Sequence, residues 1–360
     1  MNRTRSIALL TSVIMLASIM QTGCKTEEST AVSMSSGTET GTETSTETGE
    51  KCYSSKAYTI DAPDGVFRKL FRINDKYVAQ FSKGFGSDFK CFLYTRSADD
   101  DSWNNRVDID NNGELLGCFC PAGNNRIAAS TYYGFNIYDI DTGKLVAKND
   151  DLYVFIDGVF PQVYECDNGF VLLTDDHIYN VSSEGEIISD MSYQEEGQLI
   201  ADQSSFFELN GKDYLALDCD MYITYYEVDL SAMTLTEICN NKDVGFDYMR
   251  ASKYGKYQLD KEESCIYRID PDNKSKIECA RTQDMLIKPM AYFAGYDPKW
   301  FFFDDDHYAI QYEYPDGRIE IVMLSPDYTL NLSQRTKLTI KGFGIHDNYA
   351  LVYTAYKYNT

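Results

Sequence analysis

The chain has 360 residues, of which 56 are acidic and 33 are basic, so its formal net charge is −23 at pH 7. A field of this sign repels phosphate backbones and anionic lipid surfaces, which disfavours nucleic acid as a partner. The 29 tyrosines and 19 phenylalanines suit half-buried pleated surfaces and favour an all-β domain.

The first 23 residues form a predicted signal peptide. Arg3 and Arg5 precede an apolar run over residues 7–20, and small residues follow before Cys24. The apolar run is too short to span a bilayer. The segment therefore predicts an exported protein.

The stretch Gln21-Thr22-Gly23-Cys24 resembles the lipobox of bacterial lipoproteins, in which the cysteine is acylated after cleavage and becomes the new N-terminus. The match is partial, since that family usually has leucine where Gln21 stands. The resemblance implies an extracellular protein that is anchored to the outer face of the cytoplasmic membrane by acylated Cys24 and touches the membrane in no other way. The alternative is an ordinary secreted protein without an anchor.

Residues 24–51 are predicted to be a disordered, lipid-anchored linker rich in Thr and Glu. The sequence GTETGTETSTETGE within it has no apolar side chain that could enter a core. Residues 52–360, in contrast, carry many strand patterns and no convincing amphipathic helix. They are predicted to form a single all-β domain.

The stretch from Pro161 to Met191 has the pattern of one complete propeller blade. Four short strand patterns are separated by the sequences DNG, DD and SEG, whose residues allow the chain to reverse within a few positions. A four-stranded sheet of this size cannot bury both faces alone, so the pattern requires further copies.

Further copies are indicated by an aromatic residue that opens the second strand of each predicted blade. Successive positions lie 41 to 51 residues apart, a spacing typical of four-stranded blades, and Arg126 takes the position in one degenerate copy. The sequence predicts a β-propeller of about seven four-stranded blades, the last incomplete, with Tyr53 to Ile60 beside the last blade as its outer strand. The aromatic markers are Tyr77, Phe170, Tyr214, Tyr257, Tyr308 and Tyr349.

These repeats resemble the broad group of WD40, kelch and quinoprotein-like propellers. The chain lacks the Trp-Asp ending, the paired glycines of kelch, the S-x-D-x-G-x-x-W box of sialidases and the tryptophan docking motif of quinoproteins. No catalytic residue can therefore be carried over from that group. The lipobox, the acidic tether and the propeller together also resemble the front part of large solute-binding lipoproteins of Gram-positive anaerobes. That resemblance leaves open whether the chain is the front of a longer protein.

One pattern bears on metal binding. Asp108, Asp110 and Asn112, followed by Gly113, match the start of a calcium loop, in which alternating oxygens converge on a hard cation. An EF-hand would need a bidentate glutamate at the twelfth position, where Phe119 stands. No cofactor is therefore predicted, and calcium at this loop is the alternative to an ordinary turn between blades.

The ten cysteines show no disulfide framework. Cys118 and Cys120 lie two apart in a predicted strand and point to the same side, so a metal or redox role is an alternative to simple core packing. The core interpretation is favoured, because small apolar thiols suit buried strands.

A propeller hydrolase acting on glycans is the alternative function. Glycoside hydrolysis needs two carboxyl groups about 5 to 10 Å apart, and the acidic runs 99–101 and 304–306 could supply them. Solvated turns are the simpler interpretation of both runs. The histidines, three in all, are too sparse for a metal cluster.

The predicted binding site lies on the face that carries the longer loops, because function usually sits on loops presented by a rigid scaffold. Aromatic rings beside carboxylates suit carbohydrate or peptide ligands. The sequence thus predicts a non-catalytic binding or scaffold domain at the cell surface, with a carbohydrate, peptide or protein ligand; packing of these rings between blades is the alternative. The candidate residues are Tyr132, Tyr133, Tyr222, Asp218, Asp220, Tyr292, Tyr296 and Asp297.

Overall fold

A computed structural model describes most of residues 53–326 and a few short segments after them. The described residues are 53–61, 65–100, 102–103, 105–152, 160–174, 176–193, 204–218, 222–245, 251–260, 263–282, 287–292, 299–313, 318–326, 335–336, 340–346, 349–355 and 357–358. They form strands throughout, with one short 3-10 helix, Gly86–Asp88. No helix within these ranges is long and apolar enough to cross a membrane.

Six antiparallel four-stranded sheets form six blades, and the first strand of the chain, β1 (Tyr53–Asp61), belongs to the last of them. Blade 1 contains β2 (Val66–Ile73), β3 (Lys76–Lys83), β4 (Lys90–Ser97) and β5 (Asn105–Asp108). Blade 2 contains β6 (Phe119–Pro121), β7 (Arg126–Ser130), β8 (Phe135–Asp139) and β9 (Leu145–Asn149). Blade 3 contains β10 (Gln162–Cys166), β11 (Gly169–Leu173), β12 (His177–Ser182) and β13 (Ile187–Ser192).

The remaining blades follow the same plan. Blade 4 contains β14 (Ser205–Leu209), β15 (Lys212–Asp218), β16 (Ile223–Asp229) and β17 (Thr234–Asn240). Blade 5 contains β18 (Ala251–Tyr254), β19 (Tyr257–Asp260), β20 (Cys265–Asp270) and β21 (Ser275–Arg281). After β22 (Ile287–Tyr292), blade 6 is built from β23 (Lys299–Phe302), β24 (Tyr308–Glu313), β25 (Arg318–Pro326) and β1.

The strands of blades 1 to 5 run from the inside of the ring to its edge in chain order, and blade 6 takes β1 as its outer strand. Every residue of β11, a second strand, is buried, whereas most residues of the fourth strands β13 and β17 are at least partly exposed. Strands with a continuous run of apolar residues therefore lie between neighbouring blades. Strands in which apolar and polar residues are mixed form the outer edge, where the sheet meets water.

Six apolar clusters hold the ring together, and each of them joins two consecutive blades. The last cluster joins blade 6 to blade 1, so the ring closes with six blades. Large side chains that are fully buried in this way each contribute about 1.5 to 3 kcal/mol. Representative members, in chain order, are Phe71 with Phe119, Phe135 with Phe170, Val171 with Leu215, Tyr225 with Tyr267, Leu259 with Trp300, and Ile321 with Phe81.

The marker residues lie where the sequence predicts them, within the first three residues of the second strands. Their rings bridge blades: the Phe170 ring meets Phe135 edge to face at 5.1 Å between centroids, and Tyr257 stacks on Phe302 at 5.1 Å. Arg126 replaces the ring with polar contacts, because its Nη1 donates to the Ser183 carbonyl of blade 3 at 2.6 Å. The spacing of the markers is thus set by contacts between blades.

Ring closure differs from the sequence prediction in one respect. β1 is an outer strand, as predicted, but it pairs with β25 of blade 6, from Tyr53 opposite Pro326 to Asp61 opposite Arg318. The predicted seventh copy adds no four-stranded blade within the described residues. The reason is physical: with β1 in place, blade 6 already has four strands and packs directly on blade 1.

The seventh copy instead contributes to a three-stranded sheet. β27 (Ile340–His346) and β28 (Tyr349–Ala355) form the predicted hairpin, and β22 pairs with the other edge of β28. Two short strands, β26 (Arg335–Thr336) and β29 (Lys357–Tyr358), pair with each other. The seventh copy, which the sequence predicts to be incomplete, therefore receives its third strand, β22, from the segment between blades 5 and 6.

Candidate functional site

The propeller has two unlike faces. Connections from first to second and from third to fourth strands lie on one of them, called here the tight-turn face. The other, called the loop face, carries the connections from second to third strands and from blade to blade. Asn210 and Gly211, which join β14 to β15, illustrate the first kind: both have positive φ, 54° and 74°, as a two-residue type I′ hairpin requires.

Polar contacts tie neighbouring blades together on the tight-turn face. Residues near the start of a second strand reach the turn between third and fourth strands of the next blade. Lys76 Nζ lies 2.6 Å from Asp141 Oδ1, and Lys212 Nζ lies 3.0 Å from Asp272 Oδ2. Arg126 makes the equivalent contact between blades 2 and 3. This face is therefore a polar rim as well as a set of turns.

Three of the predicted ligand-binding residues have described side chains, and all three lie on the loop face. Tyr133 is 52% exposed, and Tyr222, on blade 4, is 40% exposed with Lys242 Nζ 5.6 Å from its ring centroid. Tyr132 is half-buried and stacks on Phe160 at 4.7 Å. Tyr133 and Tyr222 are thus available to a ligand, whereas Tyr132 packs against the protein.

The other predicted positions fall at the limits of the described residues. Asp218 ends β15 and Tyr292 ends β22, and the side chains of both lie outside the described part of the chain. Asp220, Tyr296 and Asp297 lie outside it altogether, as does Cys24.

Phe85 is a loop-face residue that the sequence analysis missed. It is 89% exposed in the connection between β3 and β4. The flanking Gly84 and Gly86 both have positive φ, and a Cβ on Gly84 would lie 2.4 Å from the Asp88 carbonyl oxygen, so glycine is required there. An aromatic residue between two glycines, in KGFGSDF, is the signal that could have identified it.

The calcium-like segment has a structural role in this fold. Asp108 Oδ1 accepts hydrogen bonds from Arg106 Nε and Nη2 at 3.0 and 2.9 Å. The Asp110 amide donates to the Gly143 carbonyl at 2.9 Å, and Asn112 takes a positive φ in the turn. Among the described residues, no group of three His, Cys, Asp or Glu is arranged to hold a metal. The segment thus joins blade 1 to a turn of blade 2.

The cysteines of the second and third blades are packed as core residues. Cys120 is buried, and burial raises the pKa of its thiol well above the usual value; burial also raises the pKa of Cys166 to about 11. Cys118 Sγ donates to Gln162 Oε1 at 3.0 Å. The thiols of Cys120 and Cys166 therefore stay protonated at neutral pH, which makes them poor nucleophiles.

The acidic run 304–306 is engaged by its own turn and by blade 5. Burial acts to raise the pKa of Asp304, but the amide of Asp306 and the ring of His307 outweigh it and keep that pKa below its usual range. Asp305 accepts hydrogen bonds from Tyr257 Oη and Arg268 Nη1, both at 2.8 Å. These carboxylates hold a turn in place through hydrogen bonds, so this run is engaged with the protein to a greater extent than the solvated turn that the sequence predicts.

A cavity of about 960 Å³ lies at the centre of the ring, and every blade contributes to its wall. Its charged residues come from the innermost strands and the turns that follow them. Blade 1 supplies Lys69 and Arg72, blade 3 supplies Glu165 and Asp167, blade 4 supplies Glu208, and blade 5 supplies Lys256. Because Arg72, Asp167 and Glu208 lie at or next to first-to-second-strand turns, this charged mouth opens on the tight-turn face.

Two carboxyl groups have raised pKa values: Glu165, which lines the cavity, and Asp213, which stands behind Glu208. The cavity wall displaces bulk water from Glu165 and raises its pKa, an effect that nearby Lys69 opposes. Burial raises the pKa of Asp213 to about 6, with a further contribution from Asp167 and Glu208. Asp213 stands opposite Glu208 in the pairing of β14 with β15. Negative charge is therefore concentrated where blades 3 and 4 meet.

Comparison with solved structures finds other propellers at low sequence identity. The CNH domain of AfRom2 is 10% identical, covering 72% of this chain and 64% of its own, with a TM-score of 0.31. A Bacteroides fragilis protein described as exported is 11% identical, covering 78% and 98%, with a TM-score of 0.44. The Neurospora crassa Pan2 WD40 domain is 9% identical, covering 71% and 74%, with a TM-score of 0.40. No family model and no curated protein matches the chain.

Proposed function

We propose that this protein is an exported, lipid-anchored propeller that binds a neutral or cationic carbohydrate polymer through its loop face without catalysis. The observation that carries the proposal is the exposure of Phe85, Tyr133 and Tyr222 on second-to-third-strand connections of three different blades. Exposed aromatic rings on a rigid scaffold give a ligand a large contact area at low entropic cost.

Charge supports the choice of ligand. A net charge of −23 repels polyanions at long range, so nucleic acids and acidic glycans are disfavoured as ligands. Neutral sugar rings, in contrast, present C–H faces that stack on aromatic side chains. A peptide or protein ligand remains the alternative occupant of the same face.

The loop-face proposal is tested by a glycan and peptide array, followed by calorimetry on the best ligand. Phe85→Ala, Tyr133→Ala and Tyr222→Ala should each weaken binding by about 1 to 3 kcal/mol. Ile188→Ala is the matched control, because Ile188 is 57% exposed but lies on the outer strand of blade 3. Equal affinity in all four variants would contradict the proposal, and a peptide hit would change the ligand class.

The anchoring proposal rests on the leader and on Cys24. Cys24→Ala should release the protein into the medium or leave it unprocessed, because the acyl chains would have no attachment point. Incorporation of a labelled fatty acid into the wild-type protein is the direct measurement. A wild-type protein that never takes up label would remove the anchor and leave an ordinary secreted protein.

Glycan hydrolysis is kept as a second candidate because of the carboxyl groups at the meeting of blades 3 and 4. A pKa of about 6 at Asp213, beside Asp167 and Glu208, is the kind of environment that separates an acid from a base. Release of reducing ends from an array hit, abolished by Asp213→Asn, would move the assignment to an enzyme.

A further inference from the structure

The charges in the mouth of the central cavity are segregated by blade. Lys69 and Arg72 both belong to β2 of blade 1, whereas Asp167 follows β10 of blade 3 and Glu208 belongs to β14 of blade 4. Because the ring has six blades, blade 4 lies directly across the cavity from blade 1. Lys69 and Arg72 therefore face Glu208 across the cavity, with Lys256 of blade 5 lining it beside Glu208.

The cations of blade 1 are only partly compensated by the protein: Lys69 lies near the Glu165 carboxylate of blade 3, and the contacts of Arg72 are weaker. Lys69 Nζ donates to a main-chain acceptor, the Phe119 carbonyl, at 3.2 Å. Arg72 Nη1 lies 3.8 Å from Asp304 Oδ2, at the outer limit of an ion pair, and both side chains are more than 40% exposed. Positive charge thus remains available at this wall to an incoming carboxylate.

The wall around Glu208 carries the opposite imbalance. Lys256 of blade 5 donates its Nζ proton to the Glu208 main-chain carbonyl at 3.2 Å rather than to the carboxylate, whose Oε1 accepts a hydrogen bond from the Gly211 amide. Asp167 and Glu208 also act on Asp213 behind them, where burial and their two charges raise its pKa. An ammonium group placed between Asp167 and Glu208 would relieve this repulsion.

The rest of the wall mixes polar and aromatic side chains, and the cavity is large. Tyr164, Phe301 and Phe303 line it and are each partly buried. A volume of about 960 Å³ is at the upper end of ordinary ligand sites, which range from about 300 to 1,000 Å³. The space accommodates a ligand of several residues with an apolar side chain, rather than a single ion.

We infer that the tight-turn mouth of the central cavity binds short peptides through both free termini. The C-terminal carboxylate lies against Lys69 and Arg72 of blade 1, and the N-terminal ammonium lies between Asp167 and Glu208 on the far side. Tyr164 and Phe301 contact an apolar side chain in between. This site is separate from the loop face, since the two open at opposite ends of the propeller.

The inference is tested by calorimetry of the full-length protein with the tripeptide Ala-Phe-Ala in four forms. These are the free peptide, its N-acetyl form, its C-terminal amide and the doubly blocked form. We expect binding of the free peptide, at least ten-fold weaker binding when either end is blocked, and no measurable binding of the doubly blocked form. Equal binding of all four forms, or no binding of the free peptide, would overturn the inference.

Two substitutions test which residues bind each terminus of the peptide. Glu208→Gln should weaken binding of the free peptide at least five-fold. It should leave the affinity for the N-acetyl form unchanged, because that form has no ammonium. Arg72→Gln should do the same to the free peptide and leave the amide unchanged. Glu237→Gln, an exposed carboxylate on the outer strand of the same blade 4, is the matched control. Circular dichroism and thermal melting of each variant verify that it is folded.

The outcome is distinguishable from that of the carbohydrate proposal. Phe85→Ala and Tyr133→Ala remove loop-face rings and should leave tripeptide binding unchanged. If these variants instead abolish tripeptide binding while Glu208→Gln does not, the peptide belongs to the loop face and the cavity assignment is wrong.

Discussion

The two faces of the propeller differ in what their side chains contact. On the tight-turn face, Lys76, Arg126 and Lys212 reach from one blade to a turn of the next. On the loop face, Phe85 and Tyr133 point mainly into solvent. The tight-turn face therefore contributes contacts between blades, whereas the loop face exposes apolar surface to solvent.

This difference separates stability from recognition. Side chains that connect blades are constrained by two sheets at once, so a change there is transmitted to the packing between them. Exposed rings on a connection have few contacts to lose when they are truncated. Substitutions on the two faces should therefore have opposite consequences for folding and for binding.

The largest expected effect is at Tyr257, on the tight-turn face. Its ring is 4% exposed and stacks on Phe302, and its Oη donates to Asp305. Tyr257→Ala should lower the free energy of unfolding by about 3 to 5 kcal/mol, measured by denaturant titration. Tyr257→Phe, which loses only the hydrogen bond to a carboxylate, should cost about 1.5 kcal/mol.

The control for that measurement lies on the loop face. Phe85→Ala should change the free energy of unfolding by less than about 0.5 kcal/mol, because the ring is almost fully exposed. A cost at Phe85 close to that at Tyr257 would break the comparison, and would mean that the loop-face rings are part of the packed structure.

A smaller effect is expected at two turn glycines of the tight-turn face. Gly143 has φ of +70°, and a Cβ there would lie 2.0 Å from the Asp108 carbonyl oxygen of blade 1; Gly211 has φ of +74° with no atom within 4 Å. Gly143→Ala should cost about 2 to 3 kcal/mol, and Gly211→Ala about 1 kcal/mol from backbone strain alone. Equal losses in chemical denaturation would show that blade contact at Gly143 contributes nothing.

The smallest effect concerns Asp213 and depends on pH. Its carboxyl has a pKa of about 6 in the folded protein against 3.8 for an ordinary Asp, so the folded state binds more protons between about pH 4 and 6. The stability from this group is therefore present at low pH and is lost as pH rises through 6. Asp213→Asn should stabilise the protein by about 1 kcal/mol at pH 7, after allowing for solvent screening.

The pH dependence of that gain is the decisive measurement. Below about pH 3 the wild-type carboxyl is largely neutral in both states, so Asp213→Asn should have little effect there. The exposed Glu237→Gln serves as the comparison variant at each pH. A gain at Asp213 that is independent of pH would point to packing rather than to charge.

The architecture was predictable because its determinants are local. An aromatic residue after a turn, repeated through Phe170, Tyr214, Tyr257 and Tyr308, marks the strand that must pack between two blades. The number of blades was not predictable in the same way. It depends on which blade takes β1 as its outer strand, and no local pattern records that Tyr53 pairs with Pro326. The hairpin at Tyr349 has the same local pattern as a blade, and only ring closure shows that it is not one of the six.

The candidate sites also differ in how far local sequence could identify them. Tyr133 and Tyr222 were identified from turn position and residue type, and both are exposed as binding would require. The charged mouth was missed because Arg72, Asp167 and Glu208 are single residues in three separate repeats. Each resembles an ordinary solvated charge until the ring brings their strands to one axis.

The pairing of β1 with β25 also has a consequence for the order in which the protein acquires its structure. Tyr53 is synthesised long before its partner Pro326, and at about 5 to 20 residues per second the intervening chain takes roughly 15 to 50 s to make. Throughout that interval β1 has no partner strand and the face of blade 1 that packs on blade 6 is uncovered, so both are open to wrong contacts with other chains. Folding of this ring is therefore dominated by one long-range contact, which predicts slow, late completion and a need for protection of the nascent chain.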